Sequence, residues 1–116
     1  MLKKLACFCL VAIAILLCNP VVTLADEVSP QDLDAVAIFS DNCSGCHAKG
    51  GNIVRRGKNL KLKALKRNHV DNQEAIIDLV TNGKGIMSAY GDRLSSTEIA
   101  AVADYVLEQA QQNWLN

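Results

Sequence analysis

No apolar run in this 116-residue chain reaches the roughly 20 residues that a bilayer-spanning helix needs. The longest, Leu5 through Cys18, has fourteen. No stretch of strand length alternates apolar with polar residues, so no sheet is expected. At this length the chain holds one small domain, which excludes a multidomain enzyme. Acid is missing altogether from Ala48 to Val70, and that stretch also lacks any aromatic. Without aromatics to stack bases, the basic run is a poor nucleic-acid surface.

Cysteine looks plentiful at five, but three of these lie at or before Cys18. Lys3 and Lys4, the apolar run and the small-residue end at Thr23-Leu24-Ala25 form the pattern of a secretory signal peptide. Cleavage is expected after Ala25, giving residues 1–25 as leader and 26–116 as the working domain. The alternatives are an uncleaved anchor, or a lipid on Cys18, where Leu17 stands in place of the small residue such a signal wants. After cleavage ten basic residues face twelve acidic ones, a net charge of −2, and only Cys43 and Cys46 remain. Two cysteines three apart close almost no loop, so a disulfide scaffold is excluded. A domain this small has a thin core, and a cofactor is a natural part of it. Eight of its ten basic residues lie between Lys49 and Arg67, with the acids before and after, a dipole able to orient on a charged partner.

Four helices announce themselves, giving an all-α fold. Ser29-Pro30-Gln31-Asp32 offers a capping hydroxyl and a first-turn proline for a helix over about 30–42. A short helix runs from Leu60 to about Arg67 with Asn59 as its cap. Asp71-Asn72-Gln73-Glu74 opens a third, ended by Asn82-Gly83. Ser95-Ser96-Thr97-Glu98 is the clearest capping box, followed by Ile99, Val102, Ala103, Val106, Leu107 and Ala110 at helical spacing up to Gln112.

At the end of the first helix stands Cys43-Ser44-Gly45-Cys46-His47. Two thiols on one helical turn can each add to one vinyl group of a porphyrin, and the next side chain then offers its imidazole to the iron. The motif reads as c-type haem attachment. A thioredoxin-like redox pair would need a βαβ frame. A zinc site would need a fourth ligand, and a histidine not directly beside a cysteine. The second iron ligand is read as Met87, the lone methionine of the working domain, which sits in a glycine-rich loop and not on an apolar helix face. A thioether opposite a histidine suits an electron carrier. His69, beside the basic run, reads as an exposed histidine. Phe39, Tyr90 and Trp114 are expected to pack on or near the haem, and Tyr105 to be a core residue with a hydrogen bond for its hydroxyl.

Together with Gly50-Gly51-Asn52, Thr81-Asn82-Gly83-Lys84-Gly85-x-Met87, and Tyr105-Val106-Leu107 closing at Trp114, these motifs resemble the cytochrome c6 family. This is a small photosynthetic class I c-type cytochrome of cyanobacteria and algal chloroplasts, and the likeness spans nearly the whole working domain. It implies a class I fold of about four helices around one haem c, with Cys43 and Cys46 as thioether links and His47 and Met87 as axial ligands. It implies no enzyme but a soluble, monomeric carrier in the thylakoid lumen or periplasm. Such a carrier takes electrons from the cytochrome b6f complex and passes them to photosystem I. Arg93, in Gly91-Asp92-Arg93-Leu94, matches a family arginine associated with docking to the photosystem.

Two departures stand out. Ser88 follows the methionine where the family usually has proline, and Arg55-Arg56-Gly57-Lys58-Asn59-Leu60-Lys61-Leu62-Lys63 is unusually basic. The chain resembles the divergent cyanobacterial paralogues more than the main form. Its alternatives are therefore a carrier for another acceptor, such as a terminal oxidase, or a haem-based redox or gas sensor.

Overall fold

The computed structural model describes residues 34–115. The expected leader, residues 1–25, and the expected helix start at Ser29-Pro30 lie outside them. Within the described residues the chain forms α1 (Ala35–Asn42), a single turn α2 (Ser44–His47), α3 (Leu62–Arg67), α4 (Gln73–Asn82) and α5 (Ser96–Gln111). Short 3-10 turns occupy Ala48–Gly50 and Arg56–Lys58. Among these residues there is no strand, only an isolated bridge between Lys84 and Met87, and no helix is long and apolar enough to cross a membrane.

The helix ends follow their capping chemistry. Asp34 caps α1 by accepting from the Ala37 amide at 2.9 Å. At α4 the cap is Asn72, whose Oδ1 accepts from Ala75 N at 2.9 Å, and Gly83 ends the helix at φ +69°. The α5 box is complete: the Glu98 amide donates to Ser95 Oγ, while the Glu98 carboxylate accepts from Ser95 N and Oγ at 2.8 Å. The expected start of the second helix, at Leu60, is corrected by two residues. Asn59 Oδ1 does accept from Lys61 N at 3.1 Å, but that bond closes a turn ahead of α3, which starts at Leu62 after Lys61 in extended backbone.

The core is built on α5, which packs against α1, α3 and α4. Ile99, Val102, Ala103, Val106 and Ala110 present one buried stripe, met by Phe39, Leu65, Ile76 and Val80. Ala103, with no exposed surface, lets the neighbouring helices approach closely. Each large buried side chain contributes about 1.5–3 kcal/mol. Phe39, Tyr105 and Trp114 form a cluster with centroids 5.3 to 6.0 Å apart, and this cluster ties the C-terminus back to α1. The Tyr105 hydroxyl has no hydrogen bond among the described residues, contrary to expectation, because the ring is only half-buried and its tip remains in reach of water.

Candidate functional site

Between α1, the loop 48–61, α4 and the loop 83–95 lies a cavity of about 420 Å³. That size falls in the ~300–1,000 Å³ range of small-molecule sites. Cys43, Cys46, His47 and Met87 all line it. They come from two segments forty residues apart, and folding brings them to one space. Its inner wall is apolar, with Phe39, Leu65, Ile76, Val80, Val102 and Val106 from four helices.

Local geometry explains how the first segment is held. Cys43 ends α1, its amide donating to Phe39 O at 2.8 Å, and its own carbonyl accepts from Cys46 N and His47 N. The CSGCH segment is thus one more helical turn after a kink, which turns both thiols and the imidazole to the cavity. Burial pushes the Cys43 thiol up to about 11. His47 Nδ1 lies 2.9 Å from Gly51 O. Donation from Nδ1 to this carbonyl orients the ring and leaves Nε2 as the free lone pair, the usual support for a metal-binding imidazole. Gly50 is buried at φ +71°, with Trp114 so close that any Cβ would overlap the indole. Its carbonyl accepts from Leu60 N, and Leu60 O accepts from Trp114 Nε1 at 3.0 Å.

Met87 is held by a different device. Lys84 and Met87 exchange backbone hydrogen bonds of 3.0 and 3.1 Å, closing a tight reverse turn. Gly83 is obligatory beneath it, since a Cβ there would stand 2.5 Å from Met87 O. Beyond the turn, Tyr90 N donates to Val80 O and Tyr90 Oη donates to Asn42 O at 2.8 Å. The loop is thereby stapled to the last residue of α1, beside Cys43. Ser88 is exposed, and the restraint observed in this loop comes from the tyrosine hydroxyl two residues on. Arg93 stacks on the same tyrosine, its guanidinium carbon 4.2 Å from the ring centroid, and donates to Ala89 O at 3.2 Å.

Of the expected aromatics, Phe39 and Tyr90 line the cavity. Trp114 is not in the lining itself: it packs behind Phe39, against Gly50 and Leu60, and its indole N–H donates to the Leu60 carbonyl. His69 is exposed and does not line the cavity. Sequence reading missed Asn52, Asn68 and the Tyr90–Asn42 bond. Asn52 sits in the quoted Gly-Gly-Asn motif, so a signal was there. Nothing local marks Asn68 or Asn42.

An apolar wall, two thiols, an imidazole and a thioether are the donor set of a covalently attached haem, and the residues present fit that group. Among the described residues no cluster of three or more His, Cys, Asp or Glu side chains offers a competing metal site. The family model described as cytochrome c oxidase, cbb3-type, subunit III matches residues 28–106. A protein named cytochrome c6-like from Nostoc sp. (strain PCC 7120) is 61% identical over 77 residues, 66% of this chain and 69% of that one. Cytochrome c6 from Aphanizomenon flos-aquae is 48% identical over 90 residues, 78% of this chain and 98% of that one. The crystal structure of cytochrome c6C from Synechococcus sp. PCC 7002 superposes with a TM-score of 0.66 at 60% identity, covering 67% of this chain and 95% of that one.

Proposed function

The chain belongs to the cytochrome c6 family, and on that premise we propose that residues 26–116 are a haem domain whose cavity is closed by Cys43, Cys46, His47 and Met87. Members of the family carry one covalently bound haem c, which makes this chain a c-type cytochrome and an electron-transfer protein. In the proposed assignment the Cys43 and Cys46 sulfurs would hold the haem through two thioether links, and His47 Nε2 and Met87 Sδ would ligate its iron. When bound, haem supplies the one-electron Fe(III)/Fe(II) couple. The chain's own residues do the rest. His47 is pre-oriented through Nδ1 by Gly51 O, so little rearrangement accompanies the redox change. The Tyr90 staple holds the Met87 loop against α1, and a thioether opposite a histidine favours the reduced state. Phe39, Leu65, Val80 and Val102 exclude water behind the site.

The observation that carries this reading is that all four residues line one apolar cavity. The route proposed is from the cytochrome b6f complex to photosystem I, in the thylakoid lumen or periplasm, after removal of residues 1–25. The carrier would be soluble and monomeric, with Arg93 at the docking face beside the cavity. One observation favours a second reading. Identity is 60–61% to proteins named cytochrome c6-like and c6C, against 48% to a cytochrome c6. A paralogue serving another acceptor, such as a terminal oxidase, fits that pattern, and Ser88 is the one feature favouring a sensor with a labile sixth ligand. Absorption spectroscopy of the mature holoprotein tests the assignment. The ferric band arising from methionine ligation should be present and vanish in Met87→Ala, whereas a high-spin native ferric spectrum refutes the carrier. A midpoint potential close to plastocyanin's supports photosystem I as acceptor, and one far lower supports the paralogue.

A further inference from the structure

The cavity is uneven in charge as well as in polarity. Arg55, Lys58 and Lys84 line it, and no aspartate or glutamate does. Two of these cations lie in the loop 48–61, Arg55 just before its second 3-10 turn and Lys58 at the end of that turn, and the loop is pinned. Asn52 Oδ1 accepts from Val54 N at 3.0 Å and Arg55 N at 2.7 Å. Asn52 Nδ2 donates to Lys58 O at 3.0 Å, and Lys58 N donates to Arg55 O at 2.8 Å. Lys58 Nζ is already engaged, donating to Asn68 Oδ1 at 2.6 Å. The Arg55 guanidinium has no hydrogen bond or ion pair among the described residues, although its backbone is among the best held in the loop. Arg56, one residue on, does not line the cavity.

A fixed backbone that presents an unpaired guanidinium to the edge of an apolar cavity is suited to a ligand with a flat apolar body and a peripheral carboxylate. The planar fork of arginine pairs with carboxylate through two parallel hydrogen bonds. We propose that Arg55 binds a propionate carboxylate of the haem, with Lys58 as the neighbouring cation. This rests on the haem assignment above and adds a non-covalent contact to it. Electrostatics then gives the pairing a redox consequence. An uncompensated carboxylate near the iron favours Fe(III), and neutralising it favours Fe(II), so Arg55 holds the reduction potential up.

The test compares Arg55→Gln with Arg56→Gln in the mature holoprotein by redox titration. Both variants lose one positive charge from adjacent positions, but only the first loses it from the cavity wall. Arg55→Gln should shift the Fe(III)/Fe(II) equilibrium about tenfold towards the oxidised form, about 59 mV for a one-electron couple. Arg56→Gln should shift it less than twofold, and Arg55→Lys should recover part of the loss. Retention of the methionine-ligation band in all three shows that the iron site is intact. Equal shifts in the two glutamine variants, or none in Arg55→Gln, overturn the proposal, because then only the overall surface charge matters. Loss of the band in Arg55→Gln also overturns it, by assigning Arg55 to holding the fold. Failure of the underlying assignment is visible separately, since the native protein would then lack the mass of one covalent haem.

Discussion

Replacing Gly50 by alanine strikes the contact that joins the attachment loop to the C-terminus. Gly50 lies at φ +71°, and an L-residue in the left-handed region costs about 1–2 kcal/mol. The new Cβ would overlap Trp114 Cδ1, Nε1 and Cγ. The indole is buried against Phe39 and Tyr105 and has little room to retreat, so overpacking adds about 1–3 kcal/mol. Any retreat lengthens the 3.0 Å bond from Trp114 Nε1 to Leu60 O, worth about 0.5–1.5 kcal/mol net. These costs share one displacement and do not add fully, so a loss of roughly 2–5 kcal/mol is expected. Each kcal/mol lowers Tm by about 4–8 °C in a domain of this size. Urea unfolding of the holoprotein, followed by far-ultraviolet circular dichroism, should show a lower midpoint with unchanged slope. A double-mutant cycle sharpens the test. In a Trp114→Ala background the overlap is gone, and Gly50→Ala should cost only the backbone part, about 1–2 kcal/mol. A loss under about 1 kcal/mol in the native background, or the same loss in both backgrounds, would refute the reasoning.

Tyr90→Phe deletes the hydroxyl that donates to Asn42 O at 2.8 Å while keeping the ring under Arg93. It should cost about 0.5–1.5 kcal/mol, and the methionine-ligation band should disappear on heating well before the helices melt. Coincident loss of band and helix in the variant would show that the staple does not act on Met87. Ser95→Ala removes the cap of α5 and should cost about 1 kcal/mol in thermal or urea unfolding. It should also change the acid limb. The Ser95 backbone N–H first, and its hydroxyl second, hold the Glu98 carboxyl below its ordinary value. Stability from that carboxylate is therefore complete at neutral pH and lost as pH falls through the lowered pKa. In Ser95→Ala, Tm should fall less steeply between neutral and acidic pH than in the native chain, and parallel acid limbs would count against the capping box.

The helical class was legible because its signals are local. Ser95 and Glu98 sit three apart with an apolar stripe behind them, and Asn82-Gly83 is a stop wherever it occurs. The start of α3 was misplaced because Asn59 closes a turn as readily as it caps a helix, and only Lys61 in extended backbone separates the two. The contacts of Trp114 with Gly50 and Leu60 were hidden for a similar reason. Its chemistry asks for a polar acceptor within an apolar setting, and which carbonyl answers depends on a chain position 54 residues away.

The amino-acid sequence by itself determined the chemistry on offer: two thiols and an imidazole on one helical turn, a thioether in a glycine-rich loop, and a basic segment free of acid. Local backbone preferences and side-chain identity suffice for that. Only the tertiary structure decided that these groups line one apolar cavity, that Gly51 O turns the His47 ring, and that Tyr90 ties the Met87 loop to Asn42. It also decided that Arg55 lines the cavity wall and Arg56 does not. Such distinctions rest on contacts between segments tens of residues apart, whose distances come from packing around α5 and leave no mark on the local pattern.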